Sequence, residues 1–346
     1  MTNAGSAGRT GRAEILASGG IIPNILLTER VHADAVALLR SMPGYNVVCG
    51  DEIDGAGFEA ALAQADAIGV RVHRLGGDVL ARAPGLKVVA KHGVGTDNVD
   101  HAYCTSRGIV VTNTPDANKV SVAEHAMMLM LALAKNLNGW DRAVRSGAWQ
   151  KAGLVQPVEL AGRTLSLIGF GRSGQELARR ARAFDMRIAV WSRSADAQML
   201  GAVDARRCTS LEEVLAAGDV VSLHVPRMAG APALIGAREF GLRRRGAVLI
   251  NCARGGIVDE AALAAALASG HIAGAGIDVF DIEPLPSTSE LLALPNVILS
   301  PHIAGVTAES MRRVGLEMAA CIIAVLEGRI DPAHVVNRDV LARPAM

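Results

Sequence analysis

An apolar run, three spaced glycines and an amphipathic run follow one another in LSLIGFGRSGQELARRARAF, residues 165–184. No other feature of the chain restricts the fold as tightly. A strand must end and a helix must begin within a few residues. Gly169 allows that sharp turn, Gly171 removes a side chain that would block a pyrophosphate, and Gly174 lets the helix pack on the strand. Free backbone N–H groups and the positive helix end then face the phosphates. With 37 glycines in the chain, the spacing carries weight through its strand–turn–helix setting.

The rest of the sequence repeats that alternation. Strands are predicted at Asn24–Leu27, Tyr45–Cys49, Ala67–Val70, Lys87–Ala90 and Ile109–Val111, with helical stretches such as Val31–Arg40 and Phe58–Gln64 between the early ones. A second series is predicted at Thr164–Ile168, Arg187–Trp191, Val220–Leu223, Ala247–Ile250, Ala273–Asp278 and Val297–Leu299. Alternating β and α units argue for parallel sheets, and six strands around the glycine turn fit a doubly wound one. Between the two series, Ser121–Leu137 reads as one long helix, its start marked by the capping-box spacing of Ser121 and Glu124. Its Met- and Leu-rich body is expected in the core, and Asn138–Pro157 is expected as surface connection. Residues 1–20 read as a disordered extension.

Composition narrows the partners. The 346 residues suffice for two domains, and 50% of them are apolar against 20% charged, a globular balance. Lys plus Arg number 35 and Asp plus Glu 34, so no strong field attracts nucleic acid or an anionic membrane. Five scattered cysteines lack any C-x-x-C spacing, which predicts no disulfide framework, no metal site and a reducing, cytoplasmic setting. The longest apolar run, Ala126–Ala134, is too short to span a bilayer.

Ser192 and Arg193 end the second strand of the glycine-turn series, where an NAD-specific site places a carboxylate on the ribose. A carboxylate repels a 2′-phosphate and a guanidinium pairs with it. NADP(H) is therefore favoured, and NAD(H) stays open if Arg193 only stacks on adenine or faces water.

Three further segments follow predicted strands: VLINCARGGIVDE (248–260), GAGIDVFDIEPLP (274–286) and ILSPHIAGVT (298–307). Strand carboxyl ends are where open α/β sheets hold ligands, so Arg254, Glu283 and His302 are candidates to share one crevice. Hydride arriving at a ketone carbon puts negative charge on the oxygen. A guanidinium suits the carboxylate of a 2-oxo acid and polarises the neighbouring oxygen. A histidine can donate the proton, with a carboxylate fixing its tautomer. Each residue read singly has a structural explanation; together they form a chemical set. Lys91, His92, Arg71 and His73 either meet a substrate's far end or serve structure. His32, His101, His125, His271 and His334 read as surface or core residues.

These segments, together with KHGVGTDNVD (91–100) and SVAEHAMMLMLALAK (121–135), resemble the D-isomer-specific 2-hydroxyacid dehydrogenases, from about Ile25 to Asn337. The resemblance implies an NAD(P)-dependent oxidoreductase that interconverts a small 2-hydroxy acid and its 2-oxo acid, of hydroxypyruvate, glyoxylate, 3-phosphoglycerate or sulfolactate type. It implies an α/β fold: a Rossmann domain over 120–301 and a discontinuous, flavodoxin-like substrate domain over 21–119 and 302–346. By the same resemblance Arg254 binds substrate, Glu283 orients the acid–base, and His302 moves the proton. The loop His92–Gly95 meets substrate, with Val94 and Gly95 offering N–H groups to its carboxylate. Arg172 and Ser173 sit under the pyrophosphate, while His224, Val225, Pro226, Cys252 and Ala253 line the cofactor and Asp278 faces the nicotinamide amide. A homodimer built on the nucleotide domain is implied as well. Corepressors that sense nucleotides share the fold and the three catalytic residues, which keeps a sensing role as the alternative.

Overall fold

The structure is a computed structural model describing residues 22–149, 155–228 and 230–342. The expected extension at 1–20 lies outside them. Two compact units divide the chain, one formed by 1–117 with 311–346 and the other by 118–310.

The smaller unit holds five parallel strands: β1 (Asn24–Leu27), β2 (Asn46–Cys49), β3 (Ala67–Val70), β4 (Val88–Lys91) and β5 (Val110–Thr112), in the order β2-β1-β3-β4-β5. That is the flavodoxin-like order. Inner strands covered on both faces read as continuous apolar runs, as β3 does with all four residues buried. Gly69 has no side chain because Leu27 and Met318 already fill its place; a Cβ there would come within 2.6 Å of Leu27. The C-terminal segment seals the β5 edge, where Val111 N donates to Asn337 Oδ1 at 2.8 Å.

The larger unit holds β6 (Thr164–Ile168), β7 (Arg187–Trp191), β8 (Ala205–Arg207), β9 (Val220–Leu223), β10 (Ala247–Asn251), β11 (Ile272–Ile277) and β12 (Val297–Leu299). All pair in parallel, in the order β12-β11-β10-β9-β6-β7-β8. The chain runs outward from β6 to β8, then returns to place β9 on the other flank of β6. Strand order reverses there, and the crevice at such a switch point takes ligands. The seventh strand, β8, escapes sequence reading because its Arg206 and Arg207 are exposed at the sheet edge and only Ala205 is half-buried.

The helices that open the larger unit correct two expectations. The Met-rich helix runs over Lys119–Ala134 with Asn118 at its N-cap, so Ser121 and Glu124 form no capping box. Ser121 lies inside the helix and its hydroxyl donates to Ala304 O at 2.7 Å, while Glu124 pairs with Arg180 at 3.0 Å. Part of the expected surface connection is a second helix, Leu137–Arg145, entered through Asn136 at φ 48°. The core reading of the first helix stands: Ala126, Met127, Leu129 and Met130 pack with Leu165, Leu167 and Leu177. A Cβ on Gly276 of β11 would press to 2.9 Å of Leu129, so this glycine lets the helix lie flat on the sheet.

Candidate active site

Every motif of the larger unit leaves the same sheet edge. The glycine turn follows β6, Ser192 and Arg193 follow β7, His224–Pro226 follow β9, and Cys252–Arg254 follow β10. Glu283 lies in the loop after β11 and His302 in the loop after β12. Parallel strands put all these carboxyl ends on one side, and β10, β11 and β12 are direct neighbours.

At the turn, Gly169 has φ 91°, in the left-handed region, and a Cβ would lie 2.3 Å from His224 O. A Cβ on Gly174 would lie 3.0 Å from Gly169 O, whereas one on Gly171 would project into open space. The first and third glycines thus pack the turn, and the second leaves room above it, as a pyrophosphate requires. The helix Arg172–Arg182 starts there, with the positive end of its dipole at the turn. His224 lies beneath, its Nδ1 3.0 Å from Ser173 Oγ and its Nε2 3.0 Å from Ser222 Oγ. Burial pushes its pKa down to about 4, so the ring is neutral near pH 7. At the β7 end Arg193 is exposed and Ser192 is half-buried, with Ser194 N donating to Ser192 Oγ at 3.4 Å. The Cys252 thiol is pushed well up by burial and the nearby Asp278, which keeps it protonated and unreactive.

His302 and Glu283 meet. His302 Nδ1 lies 2.8 Å from Glu283 Oε2, and Glu283 Oε1 accepts from Phe280 N at 3.0 Å. The carboxylate is therefore fixed to its own loop while it orients the ring. His302 sits at φ 54°, a strained position for a non-glycine residue that costs on the order of 1–3 kcal/mol. Asp278 holds it there. Its backbone oxygen accepts from His302 N at 2.8 Å, and its carboxylate accepts from Ile303 N at 2.9 Å, Ala304 N at 2.8 Å and Ser300 Oγ at 2.6 Å. Asp278 is wholly buried, and His125 Nε2 braces the group from 2.9 Å off Ser300 Oγ and 3.7 Å off Asp278 Oδ1.

Arg254 lies in the turn that follows β10. Its NH1 donates to Ala253 O at 2.6 Å and its own oxygen accepts from Asn251 Nδ2 at 3.1 Å. The next residue, Gly255, lies so close to the β11 loop that a Cβ would fall 1.7 Å from Phe280 O. The Arg254 turn and the Glu283 loop are thereby pressed together. Two anchors here escape sequence reading: Glu260 Oε1 accepts from Asp281 N at 2.8 Å, and Arg227 pairs with Asp281 at 2.9 Å. His125, read as surface or core, and Ser300 are likewise tied to the His302 loop. The motifs SVAEHA and SPHIAG contain them, yet nothing in either sequence says that they touch.

In the smaller unit, the His92–Gly95 loop follows β4. His92 is buried and its Nε2 has no partner among the described residues; burial, aided by the Arg71 cation, pushes its pKa down to about 4. Val94 O accepts from Asn113 Nδ2 at 2.7 Å, and among the described residues the Val94 and Gly95 N–H groups donate to no protein acceptor. No three His, Cys, Asp or Glu side chains are grouped to hold a metal ion among the described residues. No single described helix is long and apolar enough to cross a membrane.

Known proteins share this arrangement. The model of the D-isomer specific 2-hydroxyacid dehydrogenase NAD binding domain matches residues 127–304. A glyoxylate reductase of Pyrococcus furiosus is 42% identical over 274 residues, covering 78% of this chain and 81% of that protein. A D-3-phosphoglycerate dehydrogenase of Methanocaldococcus jannaschii is 36% identical over 314 residues, 90% of this chain, which spans only 59% of that longer relative. The solved structure of the NADPH-dependent glyoxylate/hydroxypyruvate reductase from Sinorhizobium meliloti, with NADP and malonate, superposes with a TM-score of 0.81 at 32% identity, over 94% of this chain and 100% of that one. With the glycine turn, the histidine–carboxylate pair and the reversed strand order all in place, the chain belongs to the D-isomer-specific 2-hydroxyacid dehydrogenase family.

Proposed function

We propose that the protein is an NADP(H)-preferring 2-hydroxyacid dehydrogenase that reduces small 2-oxo acids such as glyoxylate or hydroxypyruvate. The observation that carries this reading is the 2.8 Å contact between His302 and Glu283, on the sheet edge that also bears the glycine turn. A bound nicotinamide supplies the hydride. Arg254 pairs with the substrate carboxylate and polarises the adjacent carbonyl oxygen. Glu283 accepts from Nδ1–H of His302, which leaves Nε2 to deliver the proton as charge builds on that oxygen. For the smaller unit, the same proposal gives the Val94 and Gly95 N–H groups to a carboxylate and His92, as a neutral ring, to the substrate's remainder.

The cofactor preference rests on Ser192 and the exposed Arg193, and the Sinorhizobium relative solved with NADP supports it. Backbone N–H groups at Arg172 and Ser173 would hold the pyrophosphate, with His224, Val225, Pro226, Cys252 and Ala253 along the cofactor. The contacts of Asp278 support loop-holding first, and a nicotinamide contact would be additional to them. A homodimer through the larger unit is supported by Met128, Leu137 and Val144, which are 49%, 57% and 54% exposed on its first two helices. A cytoplasmic setting is supported by the five unpaired cysteines.

The test is a panel of 2-oxo acids with NADPH and NADH, followed at 340 nm. Turnover on the order of one per second or faster is expected on at least one acid. His302→Ala should lower kcat roughly 100- to 10,000-fold with little change in NADPH affinity. Tight NADPH binding with no turnover across the panel favours the sensing role instead.

A further inference from the structure

A continuous hydrogen-bonded row lies under the glycine turn: Ser222 Oγ, the two ring nitrogens of His224, and Ser173 Oγ, each step 3.0 Å. A neutral imidazole has one N–H donor and one lone pair, so the row can run in only one of two directions. Were the proton on Nε2, it would donate to Ser222 Oγ. The Ser222 hydroxyl proton, on a residue 1% exposed, would then have no acceptor, because the ring is its sole side-chain partner among the described residues. A buried donor left unpaired carries its full desolvation cost. With the proton on Nδ1 the row closes. Ser222 donates to Nε2, Nδ1 donates to Ser173 Oγ, and the Ser173 hydroxyl proton stays free where the helix Arg172–Arg182 begins.

We infer that Ser222 and His224 are positioning residues that set the Ser173 hydroxyl as a phosphate donor to the bound dinucleotide, beyond the backbone N–H groups of the turn. The inference rests on the dinucleotide reading above. Hydrogen bonds in series polarise one another, so a hydroxyl that accepts from Nδ1–H is the stronger donor to an anion. Reversing the row would turn the Ser173 proton inward to Nδ1 and present only its lone pairs to a phosphate. The direction of the row therefore decides whether the hydroxyl attracts or repels the ligand. Burial of the ring supports this by keeping it neutral, with a single proton to place.

The first test needs neither substitution nor cofactor. Nitrogen-15 spectra of the unliganded protein should show His224 as the Nδ1–H tautomer, the minor form of free neutral histidine. The second compares Ser173→Ala, Ser222→Ala and the double variant by calorimetric titration with NADPH and with NADH. Ser173→Ala should weaken both about tenfold, as expected for a lost hydrogen bond to a charged group. Ser222→Ala should weaken both about threefold, and the double variant should bind no more weakly than Ser173→Ala alone. Equal losses for the two dinucleotides separate this effect from any contact with the 2′-phosphate. An Nε2–H ring, or independent and additive losses, would overturn the row while leaving dinucleotide binding intact. A wild-type protein that binds neither dinucleotide would overturn the cofactor reading and the phosphate role with it.

Discussion

Two carboxylates in different units perform the same structural task under different solvation. Glu29 follows β1 and gathers the loop after β3, its neighbour in the smaller sheet; Asp278 follows β11 and gathers the loop after β12. Glu29 accepts from Arg71 N at 2.9 Å, Val72 N at 2.7 Å, His73 N and the Thr28 hydroxyl. Asp278 accepts from two loop N–H groups and the Ser300 hydroxyl. Glu29 is half-buried and the tip of its loop, Val72, is 75% exposed; Asp278 is wholly buried. Hydrogen bonds are stronger where water cannot compete. Only the buried strap drives a non-glycine residue, His302, into the left-handed region; residues 71–73 keep ordinary backbone. The shielding of an acceptor, beyond the number of its bonds, thus governs how much strain it can sustain.

The largest effect is expected at Asp278. Asp278→Asn keeps the shape but sets an amide N–H₂ against backbone donors, and the His302 loop should relax. We expect kcat to fall on the order of a hundredfold, as for a catalytic group misplaced by about an ångström, with NADPH affinity nearly unchanged. If the NADPH Kd rose as steeply as kcat fell, the carboxylate would be serving cofactor and the strap would be secondary.

Glu29→Gln is the matching change in the exposed strap and should be milder. A loss of about 1–2 kcal/mol in unfolding free energy, read from urea melts, is expected for the impaired hydrogen bonds. If Glu29→Gln cost as much stability as Asp278→Asn, burial would not be the deciding variable.

The smallest effect is the dependence on acid. Burial works to raise the Glu29 pKa, and the hydrogen bonds from Thr28 and the backbone of Arg71, His73 and Val72 overcome it, leaving the carboxyl below its usual 4.5. A lowered folded pKa means the stabilisation is present above the unfolded value and lost as pH falls through the folded one. The stability advantage of wild type over Glu29→Gln should therefore hold above pH 4.5 and shrink below it. Melts at a series of acidic pH values check this, and an advantage that grew on acidification would contradict it.

Much of the fold was legible because parallel strands buried on both faces have to be apolar throughout. β1, β3, β6, β7, β9 and β12 carry the predicted bounds, and β2, β4, β5, β10 and β11 shift by a residue at one or both ends. β8 was not legible, since an edge strand with two exposed arginines has no apolar signature. The capping-box spacing at Ser121 and Glu124 misled because both side chains serve long-range partners, Ala304 and Arg180. Arg254, Glu283 and His302 could be singled out because each follows an apolar run, where a parallel sheet exposes its ligand edge. The bracing by Asp278, Ser300 and His125 could not, because His125 lies 175 positions from the Ser300 it meets.

Local chemistry in the sequence settled the strand–turn–helix of residues 165–184, the parallel character of both sheets and the presence of an arginine, a carboxylate and a histidine at strand ends. These follow from steric and hydrophobic rules that act over a few residues. The tertiary structure alone decided which buried groups brace the His302 loop, how that histidine is held at a strained φ, and that Ser222, His224 and Ser173 meet in one row beneath the glycine turn. Those outcomes depend on distances between side chains far apart in the chain and on how completely water is excluded from them, and neither quantity exists until the sheets are packed.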